Sequence, residues 1–127
     1  KVYIVYLIII FMKKFSLKYE NKNINLDVKE CRTIFSQTSG LMFRKKSPAL
    51  LFVFKKPLRM AIHSFFCKPF IAVWFIDDKI VDMKFVKPWK VHIKPKNSFN
   101  KLLEIPSNND EFNKFFRRRK FHDDRKV

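Results

Sequence analysis

Leu50-Leu51-Phe52-Val53-Phe54 is the stretch on which the fold of this chain turns. It shows no polar alternation and is closed by Lys55-Lys56-Pro57, so it reads as a β-strand buried on both faces and ended by a turn, at the centre of the core. A short basic loop separates it from Gly40-Leu41-Met42-Phe43-Arg44, and Gly40 is the only glycine in 127 residues. A chain that otherwise avoids glycine keeps one where φ must be positive, as just past a helix C-terminus, where a Cβ would clash. The preceding residues agree. Cys31, Ile34, Phe35 and Thr38 fall at i, i+3, i+4 and i+7, a mostly apolar stripe on one short helix near residues 31–39 that Gly40 stops.

Working outward, period-two patterns dominate. Phe15, Leu17 and Tyr19 alternate with Ser16, Lys18 and Glu20, and Ile24, Leu26 and Val28 alternate with Asn25, Asp27 and Lys29, with Glu20 to Asn23 as the polar turn of a hairpin wet on one face. Downstream, Arg59 to Phe66 is an extended run, and Ile71 to Asp77 is another with apolar residues on both sides. Asp77-Asp78-Lys79 turns the chain into Ile80 to Val86, where Val81, Met83 and Phe85 point one way and Asp82 and Lys84 the other. After Pro88, Trp89, Val91 and Ile93 alternate with Lys90, His92 and Lys94 as far as Pro95, which places His92 in solvent. Lys101 to Ile105 forms the last core strand, stopped by Pro106. The expected fold is mostly β: a compact sandwich or jelly-roll-like single domain over residues 12–110, with the short helix near 31–39 and a second helix at the C-terminus.

The composition supports one core. At 47% hydrophobic content with 16 phenylalanines, a chain of this length buries roughly 65–70% of the surface its unfolded form exposes, so disorder is excluded for most of it and a second domain does not fit. Two cysteines, Cys31 and Cys67, are too few for a disulfide framework and read as reduced thiols. The net charge of +17 has two readings. It suits an anionic partner, yet abundant Lys, Asn, Ile and Phe with scarce Gly and Ala is also what an AT-rich coding sequence gives.

Residues 1–11 form an apolar leader that reads as an extra strand, a truncated membrane anchor, or upstream sequence before a start at Met12. The run from Val2 to Met12 is shorter than the about 20 residues a spanning helix takes. Cytoplasmic localisation is expected, with tethering through residues 2–12 as the alternative. The tail 111–127 places Phe112, Phe115 and Phe116 at helical spacing before Arg117-Arg118-Arg119-Lys120, which is either a basic amphipathic helix for nucleic acid or an anionic membrane surface, or a surface helix with solvated charge.

In order along the chain, Gly40-Leu41-Met42-Phe43-Arg44, Leu50 to Phe54, His63-Ser64-Phe65-Phe66, Val73-Trp74-Phe75-Ile76-Asp77, Lys87-Pro88-Trp89 and Leu102-Leu103-Glu104-Ile105-Pro106 resemble the prokaryotic family known as domain of unknown function 192, over about Phe15 to Pro106. The resemblance implies a mostly β fold with a small helix before the glycine segment, in which Gly40, Leu41, Met42, Pro88 and Pro106 are structural, and it implies no established activity. Two positions depart from the family's usual pattern. Phe70-Ile71-Ala72 stands for Pro-Ile-Asp, removing a carboxylate, and Pro106-Ser107-Asn108 stands for Pro-Ala-Gly, with Asn the next-best residue for a left-handed turn. Asp123 to Val127 is similar to the family's closing strand.

The polar residues within these motifs are Arg44, His63 and Glu104. A pocket that joined them could take an anionic or hydroxylated ligand with Trp74 or Trp89 as a stacking wall. The competing reading is a structural Arg44–Glu104 ion pair, with His63 bonded to a backbone carbonyl. No Gly-rich phosphate loop, nucleophile elbow or metal-ligand cluster is present, and Cys67 with His63 on one strand would lie roughly 13 Å apart. The sequence thus points to a monomeric, non-enzymatic module for a small ligand or a protein partner, with no metal or cofactor. Nucleic acid or anionic membrane binding through Arg117, Arg118, Arg119 and Lys120 is the alternative, and an enzyme of unknown reaction the third reading.

Overall fold

The computed structural model describes residues 12–31, 48–65, 67–110, 112–113 and 122–123. Its strands are β1 (Met12–Tyr19), β2 (Lys22–Cys31), β3 (Ala49–Leu58), β4 (Phe70–Ile76), β5 (Lys79–Val86), β6 (Phe99–Pro106) and the two-residue β7 (His122–Asp123). All seven join one sheet in the order β1-β2-β3-β6-β4-β5-β7, so the described strands form a single sheet where two stacked sheets were expected. β2 and β3 pair in parallel, as do β5 and β7, and the remaining neighbours are antiparallel. The middle position belongs to β6, between β3 and β4, and not to the Leu50 to Phe54 strand.

The sheet is curled, and one aromatic contact shows it. Phe15 on β1 and Phe75 on β4 meet edge to face with ring centroids 5.5 Å apart. Four strand spacings separate β1 from β4 in the sheet order, which on a flat sheet is about 19 Å at ~4.8 Å per strand. Side chains standing normal to a flat surface cannot close that gap. The sheet therefore rolls into a half-barrel whose concave side holds one apolar cluster, including Leu26, Val28, Leu51, Ile71, Val73, Leu103 and Ile105. Leu50, Phe52, Phe70, Trp74, Phe99 and Leu102 form a second cluster on the convex side. Alternating parity along β3, β4 and β6 feeds both, and each fully buried large side chain contributes about 1.5–3 kcal/mol.

Two irregular segments cover the convex side. Residues 59–69 and 87–98, expected to supply strands, run antiparallel to each other with one β-bridge, Ile62 to Ile93, and send Ile62, Cys67 and Ile93 into the second cluster. Trp89 and His92 take φ values of 65° and 55°, which breaks the period-two pattern read there. Pro57 was read as ending its strand but lies within β3, in the interval between Val53 and Leu58 where the ladder to β6 is irregular and an N–H is dispensable.

The clean alternation of Ile80 to Val86 is broken by a bulge. Trp74 pairs with Asp82 but Phe75 with Ile80, leaving Val81 as the extra residue. Ile80 consequently packs with the concave cluster alongside Met83 and Phe85, while Val81 joins the convex one. Asp82 is buried, its Oδ1 accepting from Met83 N at 2.8 Å and its Oδ2 from Lys96 N at 3.0 Å. Cys31, read as the start of a helix, is the last residue of β2, and the rest of that helix with Gly40, Leu41, Met42 and Arg44 lies outside the described residues. Asn108 is not left-handed: the turn closes with Asn109 N donating to Pro106 O at 3.0 Å, and Asn108 has no positive φ. Phe112 packs into the concave cluster edge-on to Phe85, their centroids 6.0 Å apart, and with β7 it ties part of the tail to the sheet. The remainder of the tail, with Arg117 to Lys120, is outside the described residues.

The β1–β2 hairpin forms as its alternation dictates, with Ser16 bonded to Asn25 and Lys14 paired with Asp27 on the wet face. Its turn is tighter than read: Tyr19 pairs with Lys22, leaving only Glu20 and Asn21, at φ 50° and 62°. Two left-handed residues match a type I′ turn, for which Asn-Gly is the favoured pair and glutamate a poor one. Replacing Glu20-Asn21 by Asn-Gly is expected to stabilise the fold by about 1 kcal/mol, seen as a higher urea midpoint at unchanged slope. An unchanged or lower midpoint would contradict the strain assigned to Glu20.

Candidate functional site

The site is built around Ser64, which fastens the two covering segments together. Its Oγ donates to Lys87 O at 2.5 Å and accepts from Lys90 N at 2.8 Å. Its backbone N donates to Lys90 O, and its carbonyl accepts from both Cys67 N and Trp89 N. Five hydrogen bonds thus converge on one fully buried serine. Arg59 Nε adds a bond to Pro95 O at 3.3 Å, and Lys84 Nζ one to Lys94 O at 2.5 Å. The straps are held to each other and to the sheet along their length.

Beneath the straps lies Glu104. Its register partners are Leu50 on β3 and Ala72 on β4, so its side chain shares the convex face with theirs, and with that of Trp74 diagonally across. It is 6% exposed and makes no hydrogen bond or ion pair among the described residues. Burial alone pushes its carboxyl up to about 8, because the charged form loses its water without gaining a partner. Ala72, where the family resemblance leads one to expect Asp, sits directly opposite, so the site holds one carboxyl in place of a pair. Among the described residues Trp74 Nε1 is also buried without an acceptor, while Lys84 Nζ sits 6.0 Å from the ring centroid.

Cys67 borders the same interior. Burial, reinforced by the Glu104 carboxylate, pushes its thiol up to about 11. At neutral pH it is a protonated thiol, donating to Phe65 O at 3.4 Å, and a weak nucleophile. Neither cysteine is in a disulfide. His63, expected to share a strand with Cys67, sits in the irregular strap. Its Nδ1 accepts from Phe65 N at 3.2 Å, the reverse of the expected bond to a carbonyl. Among the described residues no three His, Cys, Asp or Glu side chains group as metal ligands.

On the outside of the straps is an aromatic surface. Trp89 is 61% exposed, with its ring 5.9 Å from Phe65, which in turn lies 5.1 Å from His63. The five residues read as one ligand set therefore divide. Trp74 and Glu104 are under the straps, His63 and Trp89 are outside, and Arg44 lies outside the described residues. Sequence reasoning missed Ser64, Phe65 and Asp82. For Phe65 and Ser64 the signal was present, since both fall within the matched His63 to Phe66 motif, while Asp82 points away from Met83 and Phe85 as the alternation requires and is buried because residues 87–98 are laid over that face, Lys96 N bonding its Oδ2, which no local pattern announces.

One curled mixed sheet, strapped on its convex side over a buried carboxyl with no partner among the described residues, defines the class: a small all-β domain. Residues 16–113 match the family domain of unknown function 192, described as "Uncharacterized ACR", and the chain belongs to this family. It is similar to UPF0127 proteins of Pyrococcus horikoshii, at 33% identity over 93 residues covering 68% of this chain and 80% of the relative, and of Pyrococcus furiosus, at 30% over 91 residues covering 68% and 78%. Two crystal structures share the fold, each at 16% identity. One is a proposed transcription regulator of Sinorhizobium meliloti (TM-score 0.65, covering 75% of this chain and 79% of that one), the other a protein of unknown function from Novosphingobium aromaticivorans (TM-score 0.68, 78% and 74%).

The buried acid makes stability depend on pH with a definite sign. Glu104 binds its proton more tightly in the folded than in the unfolded chain, so the folded state carries more protons between the ordinary value of 4.5 and about 8. This group's contribution to stability therefore falls as pH rises through that window, at up to about 1.4 kcal/mol per pH unit, and is level on either side. Glu104→Gln, which mimics the neutral acid, is expected to melt close to wild type near pH 4.5 and above it at pH 8.5. Parallel melting profiles across that range would show that Glu104 is ionised in the fold.

Proposed function

We propose that the protein is a non-enzymatic binding module whose recognition surface is the outer side of the straps, centred on Trp89. The observation that carries this reading is a large aromatic side chain displayed at the surface on a backbone that is pinned. Trp89 is 61% exposed at φ 65°, and its N–H is held by Ser64 O at 3.0 Å. Holding a bulky residue in the left-handed region costs stability, and exposing an indole forgoes the burial that Trp74 enjoys. Aromatic anchors on preorganised loops are what binding hot spots are made of, because little side-chain freedom is lost when a partner docks. Phe65 and His63 extend the same surface. The protonated thiol of Cys67 and the distance in role between it and His63 support a binding reading over a cysteine-based reaction.

Two-dimensional NMR of the indole N–H and backbone amides, read against a panel of aromatic, sugar and peptide ligands, tests this. A binder is expected to shift the Trp89 indole and the amides of residues 63–65. Trp89→Ala should abolish the response while changing stability by no more than about 0.5 kcal/mol, as for an ordinary surface position. Shifts that cluster elsewhere and survive that substitution would move the recognition surface off the straps.

A further inference from the structure

The straps carry a charge pattern that identifies the kind of partner they fit. Residues 59–69 and 87–98 contain Arg59, Lys68, Lys87, Lys90, Lys94 and Lys96 and no Asp or Glu. All of these cations but the half-buried Lys87 are exposed. The nearest carboxylate along the neighbouring strand, Asp82, is buried and engaged with backbone N–H groups, and Glu104 is buried beneath, so neither screens the outer face. Trp89, Val91 at 54% and Met60 at 46% are the exposed large hydrophobic residues among those described, and all three lie on these two segments. The Ile62–Ile93 bridge and the Ser64–Lys90 bonds set the segments side by side, so that these exposed apolar and cationic residues belong to two adjoining segments.

We infer that this face docks on an anionic lipid membrane surface, with Trp89, Val91 and Met60 entering the interfacial layer and the surrounding lysines meeting lipid phosphates. The inference rests on the recognition surface proposed above and names its partner. Charge alone would suit any polyanion. The apolar residues discriminate. A single-stranded nucleic acid is gripped by aromatic faces spaced for successive bases, whereas here the rings of His63 and Phe65 lie against each other and then against Trp89, and Val91 and Met60 offer a base nothing to stack on. Aliphatic and indole side chains interspersed with lysines along the two adjoining segments instead match the headgroup boundary, where Trp is favoured and lysine stems can lie along apolar surface with the ammonium in water.

Flotation of the full chain with vesicles of phosphatidylcholine, alone or equimolar with phosphatidylglycerol, decides the matter. The chain should float with the anionic vesicles at low salt, release as salt rises, and bind pure phosphatidylcholine about tenfold more weakly. Trp89→Ala with Val91→Ser, and separately Lys90→Glu with Lys94→Glu, should each weaken anionic-vesicle binding about tenfold with unchanged melting temperature. On the wild-type chain, brominated phosphatidylglycerol should quench the exposed Trp89 and spare the buried Trp74, a readout independent of any variant. Flotation that these substitutions leave intact, or none on anionic vesicles, overturns the inference, and tight binding to oligothymidine without vesicle binding reassigns the face to nucleic acid. If vesicles are not bound but Trp89→Ala still abolishes a ligand or peptide response, the recognition surface stands and only its lipid partner falls. If Trp89→Ala changes no response, the recognition surface itself is wrong.

Discussion

The middle of this sheet is apolar on both faces, and both faces must leave water. β3, β6 and β4 alternate between the two clusters residue by residue, with Leu50, Phe52, Leu102 and Trp74 on one side and Leu51, Leu103, Ile105 and Val73 on the other. A single sheet meets that demand only if something covers each side. Curling covers the concave side with the sheet's own strands, bringing Phe15 against Phe75. Among the described residues the convex side has no second sheet and is covered by residues 59–65, 67–69 and 87–98, which join by one β-bridge only.

That arrangement explains where polar chemistry is found. Irregular backbone packed on an apolar surface needs its N–H and C=O groups satisfied, and Ser64 and Asp82 supply those partners for residues 87–90 and Lys96. Glu104 is a different case. It stands on the central strand, between Leu50 and Ala72, with nothing among the described residues to neutralise it. A carboxyl so placed keeps its proton, and the same burial keeps the thiol of Cys67 protonated. Neither Glu104 nor Cys67 therefore carries charge at neutral pH, while the segments laid over them, residues 59–69 and 87–98, contain cations and no Asp or Glu.

The family to which the chain belongs carries no activity in its description, and the shared fold with two solved structures fixes architecture alone. What distinguishes a function must come from side chains on this scaffold. The side chains proposed for that role are Trp89, held by the Ser64 carbonyl, Phe65 beside it, and the lysines of two segments that contain no Asp or Glu. Straps fastened to each other and to a curled sheet would offer that proposed surface to a partner with little ordering on binding.

The sequence by itself determined the all-β class, the β1–β2 hairpin, the strands near 50–54, 71–76 and 101–105, the turn at Asp77-Asp78, and the family. These are legible because period-two patterning, uninterrupted apolar runs and turn residues are local properties of the chain. His92 is exposed as expected, but Trp89 and Val91, its alternates on the supposed opposite face, are exposed as well, so the alternation read there did not decide it. Only the tertiary structure decided that the strands make one curled sheet, that Val81 bulges and Asp82 is covered by residues 87–98, and that residues 59–65 and 89–93 are straps, since alternation is common to a strand and to an extended covering segment. It also decided that Trp74 and Glu104 lie beneath the straps while His63 and Trp89 lie above. Two residues of one motif list can end on opposite sides of a layer because sequence spacing carries no information about which surface a strap is laid upon.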